Sequence, residues 1–254
     1  MPANLSPYRF DRLSSDPHLL ETRLAQYAQT GAFAHSRAWA VETLLREAPP
    51  GPVLEVGPGD GADSAALTRA GREVLTLDVR LNFAANTPPG AHAVVGDVAA
   101  LPVRSARCSA VLANRVLHHV PRLEVALSQL AQALRPGGVL ALTLPDHASL
   151  AADAPAGPWA RFVSLKNTPG LLTARPDAVA CVEAHPEWRR LAGMQVPISG
   201  EEERVYVRTD HWIEVFAAEG LLDAGDAGAL RRWRNDGGTV NLNLVGLAIM
   251  RDPA

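Results

Sequence analysis

A chain of 254 residues with 47% hydrophobic content has enough apolar material for one globular domain, or for one domain carrying a sizeable insertion. Its net charge of -3 offers no general attraction to phosphate backbones or anionic lipid, and the pairs Arg189/Arg190 and Arg231/Arg232 read as solvated faces, not as a nucleic-acid groove. Cys108 and Cys181 stand far apart, outside any C-x-x-C arrangement, which argues against a disulfide framework or a zinc knuckle.

The start, "MPANLSPYRFDRL", has no apolar stretch behind a basic end, and no later window nears about 18 uninterrupted apolar residues, so a cytoplasmic protein with no membrane partner is expected. "DPHLLETRLAQYAQTG" predicts a short helix with Asp16 as N-cap, Pro17 at its first position and Gly31 as its stop. "SRAWAVETLLREAPP" predicts a second, with Trp39, Val41, Leu44 and Leu45 close to one face. From residue 52 the strand-length runs "PVLEV", "EVLTLDV", "AHAVVGDV", "CSAVLANRV" and "GVLALTLP" appear, several separated by helical patterns such as "GADSAALTRAG" and "PRLEVALSQLAQALRPGG". Strand alternating with helix predicts parallel strands joined by crossovers, a doubly wound α/β sheet. The proline-broken link "RLNFAANTPPGA" leaves room for one or two helical turns at most.

Residues 148–208 are rich in Pro, Gly and Ala, with weak periodicity, and leave the sheet on the side where strand C-termini open. An inserted cap or substrate region is expected there, with "PDAVACVEAHPEWRRLAG" helical in part and "ERVYVR" strand-like; a surface insertion with no binding role is the alternative. "TDHWIEVFAAEG" predicts a helix from an N-cap at Thr209 to a stop at Gly220. "ALRRWR", the turn "NDGG" and the alternating "TVNLNLVGLAIM" predict a hairpin, so that the last strand runs antiparallel to its neighbours. The organisation expected is a helical extension over 1–50, a core over 51–147 and 209–254, and the cap over 148–208.

The glycines of "VLEVGPGDG" fall between a strand and a helix, where they let backbone approach a ligand and where free N–H groups and the helix dipole favour an anion. Glu55 lies inside the first strand, an unusual place for a carboxylate unless a cation or backbone donors meet it. Asp78 ends the second strand, placed to take both hydroxyls of a ribose, and Asp97 ends the third. Three carboxylates and a glycine loop thus share one rim of the sheet.

These motifs resemble the class I S-adenosylmethionine-dependent methyltransferases, especially their small-molecule "type 11" branch, over residues 50–147 and 209–250. "VLEVGPGDG" is similar to that family's first motif, E/D-x-G-x-G-x-G, at Glu55, Gly57, Gly59 and Gly61. The resemblance implies a Rossmann-like sheet of seven strands with an antiparallel C-terminal strand, and S-adenosylmethionine as cofactor. It implies donor contacts from Asp78 and Val79 at the ribose, Asp97 and the Val98 backbone at the adenine, and Asn114 at the methionyl part. Two departures stand out: Cys108 and Ser109 replace the usual aromatic and aspartate, and the loop after Asp78 is short. A nicotinamide dinucleotide is the competing ligand, since Ala62 satisfies the last position of a G-x-G-x-x-G/A fingerprint.

Methyl transfer from a sulfonium needs alignment and exclusion of water, and a base only where the acceptor must lose a proton. His118 and His119 leave the fourth strand beside the expected methyl group and are the candidate bases, with pocket shaping as the alternative. A metal cluster of these with Asp146 and His147 has no regular ligand spacing, and no metal is expected. "NRVL" stands in place of the N/D-P-P-Y tetrad of amino-methylating nucleic-acid enzymes, and neither cysteine follows proline as a pyrimidine nucleophile would. Tyr8, Tyr27, Trp39, Trp159, Phe162, Trp188 and Tyr206 are available to roof a pocket, or merely to pack. The sequence therefore points to methyl transfer to the oxygen, nitrogen or carbon of a small molecule; a non-catalytic protein binding the donor or its demethylated product, and a dinucleotide oxidoreductase, are the other readings.

Overall fold

Four consecutive buried residues, Val53–Val56, form β1, the kind of strand that only a sheet covered on both faces can hold. A computed structural model describes residues 31–81, 85–166, 177–198 and 212–252 of the chain, with the backbone alone for 147–151 and 166. Around β1 lie β2 (Val74–Asp78), β3 (Ala91–Val95), β4 (Cys108–Asn114), β5 (Leu134–Ala152), β6 (Trp188–Ile198) and β7 (Val240–Arg251). They make a seven-stranded sheet in the order β3-β2-β1-β4-β5-β7-β6. The first five strands are parallel, whereas β7 runs antiparallel to both β5 and β6. Strand order reverses between β1 and β4, so the crevice at their C-terminal ends is where such a sheet holds a ligand.

Side chains alternate between two cores. Leu54, Val111, Ala113, Leu140 and Leu142 face α3 (Leu123–Ala133), which contributes Leu123, Leu127 and Leu130. Val53, Ala110, Leu112, Val139 and Ala141 face α1 (Gly31–Glu47) and α2 (Ala62–Arg69) through Ala40, Leu44 and Leu67. The period of two in the strands is what lets each element be covered twice. α1 sits on the sheet through a notch in β7: a β-carbon at Gly246 would stand 2.5 Å from the Trp39 ring. Gly31, read from the sequence as the stop of a preceding helix, is the first described residue of α1, and the helix it was expected to end lies outside the described residues.

The expected C-terminal hairpin is not formed. "ALRRWR" belongs to α7 (Ala224–Asn235), whose N-cap Asp223 accepts from Asp226 N at 2.8 Å and whose Ala227 and Leu230, three residues apart, are buried. The glycines taken for a β-turn end this helix: Gly237 has φ +86°, and Gly238 N donates to Trp233 O at 2.9 Å, a Schellman stop. The outer antiparallel partner of β7 is β6, from within the stretch expected to be the cap; of "PDAVACVEAHPEWRRLAG", expected to be helical in part, α5 (Ala178–Glu183) is the helical portion and Trp188 onward is strand. β5 continues past Pro145 as far as Ala152, since β7 is long enough to pair with it across an irregularity between Asp146 and Ala151.

α4 (Ala156–Lys166), α6 (Trp212–Ala218) and α7 share an aromatic core of Phe162, Trp212 and Phe216. Trp159 packs there too, 5.5 Å from Phe162 and 5.4 Å from Trp233 between ring centres, while Trp188 lies on β6 beside His185. The helix expected over 16–31, the strand over 203–208, Thr209, Tyr8, Tyr27 and Tyr206 lie outside the described residues. Among the described residues no helix is long and apolar enough to cross a membrane.

Candidate donor site

The glycine loop joins β1 to α2 at the crevice. Gly57 and Gly61 have φ +69° and +76°, a region closed to most side chains. Neighbours also fill the space: a β-carbon on Gly57 would lie 2.8 Å from Val116, and one on Gly61 only 2.2 Å from the carbonyl oxygen of Asn86. Asn86 closes the loop from the other side, donating through Nδ2 to Gly59 O at 2.8 Å. The loop is therefore a backbone cradle that any β-carbon at 57 or 61 would obstruct.

Glu55 is 2% exposed and accepts a hydrogen bond from Ser64 Oγ in the first turn of α2. A hydroxyl, rather than the cation or backbone donors anticipated, meets this carboxyl. Burial, then the charge of Asp63, push its pKa up to about 8, against the pull of the Ser64 bond. Asp78 ends β2 and accepts from Arg80 N at 2.9 Å; Val79 follows it. Asp97 ends the turn after β3 and accepts from Ala99 N at 2.8 Å, capping a short 3-10 turn that starts with the buried Val98. Asp78 pairs in register with Val95, so the two acids stand on adjacent strand ends with the glycine cradle beside them.

Asn114 ends β4 with both amide atoms engaged: Nδ2 donates to Asp63 Oδ2 at 2.7 Å, and Oδ1 accepts from Thr143 Oγ1 at 3.2 Å. Asp63 is held in turn by Arg37 of α1, whose Nε donates to Asp63 Oδ1 at 2.6 Å. The same guanidinium grips both oxygens of Asp60, one at 3.0 Å. Burial works against both partners. Even so, Arg37 and the Ala62 N–H hold Asp60 below the ordinary carboxylate range, and the two aspartates hold Arg37 above its own.

Beyond Asn114 the chain makes a left-handed step at Arg115 (φ +53°), whose guanidinium lies 4.9 Å from the centre of the Phe33 ring on α1. A 3-10 turn, Leu117–His119, then carries His118, which is buried, and His119, which is exposed; their rings lie 3.8 Å apart. Cys108 is buried, and that burial pushes its thiol up to about 11; Ser109 Oγ donates to Pro52 O at 2.9 Å. The first departure from the motif, Cys108 with Ser109, thus serves packing at the foot of β4. Among the described residues no group of three or more His, Cys, Asp or Glu is arranged to hold a metal ion.

A parallel sheet reversing at β1/β4, a glycine cradle at the reversal and acids on the next two strand ends are the parts that a nucleoside-bearing ligand needs. Residues 54–142 match the family described as "Methyltransferase domain". The fold is that of the class I S-adenosylmethionine-dependent methyltransferases. A malonyl-[acyl-carrier protein] O-methyltransferase of Methylococcus capsulatus is 36% identical over 111 residues, covering 41% of this chain and 40% of that protein. A fatty-acid O-methyltransferase of Mycolicibacterium smegmatis is 32% identical over 117 residues, covering 41% and 43%. The matches thus span less than half the length of these relatives. Across 99% of the chain, the solved structure of the [4+2]-cyclase SpnF superposes with a TM-score of 0.65 at 15% identity, covering 98% of its own length, which is a likeness of fold.

Sequence reasoning missed Arg37, Asp60, Asp63, Ser64, Asn86 and Thr143. Asp60 and Asp63 carried a signal, two acids inside and just after the loop. Arg37 carried none, because its contact joins two elements across 26 positions of chain.

Proposed function

We propose that the protein transfers a methyl group from S-adenosylmethionine to a small-molecule acceptor. The observation that carries this reading is the cradle of Gly57, Gly59 and Gly61 beside Asp78 and Asp97 on neighbouring strand ends. In it, the loop backbone receives the donor, Asp78 with Val79 takes the ribose hydroxyls, Asp97 and the Val98 N–H take the adenine, and the end of β4 at Asn114 faces the methionyl part. The donor supplies a methyl carbon already activated on a sulfonium sulfur. What remains for the chain is to hold that carbon in line with the acceptor lone pair and to exclude water. As the acceptor bonds to the methyl carbon, the carbon–sulfur bond breaks and its electron pair returns to sulfur. Any proton then shed by the acceptor passes to a base on the Leu117–His119 turn, His118 within the protein or His119 at its surface.

Acyl acceptors are the first to test, since the two relatives are named for O-methyl transfer to a malonyl carrier protein and to fatty acids. The chain outside the match, α4 to α7 with β6 and β7, supplies further walls for such a substrate.

Titration calorimetry of refolded protein with S-adenosylmethionine, S-adenosylhomocysteine and NADH tests the donor. Micromolar binding of both sulfur nucleotides with none of NADH is expected, and silence toward both would overturn the reading. Release of S-adenosylhomocysteine in the presence of an acyl acceptor then separates an enzyme from a protein that only binds the donor.

A further inference from the structure

Asp63 is the hub of a chain of hydrogen bonds that crosses four elements: Arg37 on α1, Asp63 on α2, Asn114 on β4 and Thr143 on β5. Its chemistry fixes its direction. An ionised carboxylate only accepts, so the Asn114 amide must turn its nitrogen to Asp63 and its oxygen to the Thr143 hydroxyl. Asp63 has 8% and Arg37 18% of its side chain exposed, so neither is a loose surface charge. Arg37 is already committed to Asp63 through Nε and to Asp60 through both terminal nitrogens, so each of its three nitrogens has a carboxylate partner.

We propose that Arg37 is a positioning residue that acts through Asp63 to orient Asn114 at the amino-acid end of the donor, so that docking of α1 and binding of the donor are coupled. The inference rests on the donor site proposed above. Arg37 itself makes no contact with the donor in this scheme. Without it, Asp63 keeps a buried charge with one partner fewer, the Asn114 amide is free to rotate, and the wall that faces the methionyl part loses its shape.

The test uses the full chain as wild type and as R37A, D63A and the double variant. Affinities for S-adenosylhomocysteine and for 5′-methylthioadenosine, which lacks the amino-acid end, are measured by calorimetry, with thermal midpoints of the unliganded proteins as a folding control. Each single variant should weaken S-adenosylhomocysteine by roughly tenfold or more, the scale of a charge-assisted hydrogen bond. The double variant should be no worse than the weaker single, because both break one link, and 5′-methylthioadenosine should bind all four proteins alike. A purely structural role would weaken both ligands together and overturns the proposal. Losses that multiply in the double variant overturn it as well, since Arg37 would then grip the donor directly. If R37A does not fold, R37K, which keeps the charge and loses the fork, takes its place in the same comparison, with the same two outcomes. Wild type that binds neither ligand overturns the donor site itself, and the relay with it; wild type that binds while the variants behave like it overturns the relay alone.

Discussion

Two groups of charges on this molecule are built from the same residue types and do different work. At the glycine loop, Arg37 is shared by Asp60 and by the buried Asp63 beside a buried Glu55. On α6 and α7, Glu214 is shared by Arg231, through Nε and a terminal nitrogen, and by Arg234 at 3.1 Å. The second group has four arginine–carboxylate hydrogen bonds against three, yet Glu214, common to all four, is 46% exposed and Arg231 40%, so water competes for that carboxylate. Burial, not the number of contacts, decides what an ion pair is worth to the fold.

The comparison breaks most visibly at Arg37. R37A leaves Asp63 buried with its charge less well met, and urea unfolding should show a loss of about 3 kcal/mol, the low end for breaking a buried pair. Asp78, half-buried, stands between the extremes. D78A should leave the midpoint of unfolding nearly unchanged and weaken S-adenosylmethionine by about 1 to 3 kcal/mol in calorimetry, as charge-assisted bonds to the ribose are lost; unaltered affinity in a folded variant would remove Asp78 from the site.

Glu55 sharpens the contrast through pH. Its folded pKa, about 8, lies above the value of 4.5 for a free glutamate, so between those two pH values the folded state binds the extra proton. Stability from this group is therefore lost as pH rises through that window, by at most about 1.4 kcal/mol per pH unit, and levels off above it. E55Q should abolish that slope in unfolding curves recorded from pH 5 to 9. The smallest effect belongs to the surface group: Arg231 and Arg234 lower the Glu214 pKa, but E214Q should cost under about 1 kcal/mol, and less in high salt.

Which features were legible in the sequence follows from how local their causes are. The runs that became β1 to β5 are short and apolar, and the glycines and acids at their ends fall within a few residues of the turns they serve, so the rim from Glu55 to Asp97 was readable. α7 was not. Its two buried positions, Ala227 and Leu230, are sparse among arginines, and the Gly237/Gly238 pair that stops a helix looks in sequence like the turn of a hairpin. β6 was hidden because, on the sheet edge, Ile198 alone of its residues is buried and the rest are half-buried or exposed, so it owes its form to β7 and not to its own pattern. Asn114 was expected to meet the methionyl part with nothing said of how it is held; the structure shows its amide spent on Asp63 and Thr143, contacts separated by 51 and 29 positions.

The notch in β7 reaches further than its size suggests. Trp39 rests where Gly246 has no side chain, and Arg37 lies on the same helix, two positions before it. A single carbon atom added at Gly246 would press against the indole at 2.5 Å, so the ring, or α1 and the guanidinium it carries, would have to shift. Position 246, which carries no charge itself, thus bears on the glycine loop through α1 and, in register with Thr143 on β5, borders the strand that holds Asn114.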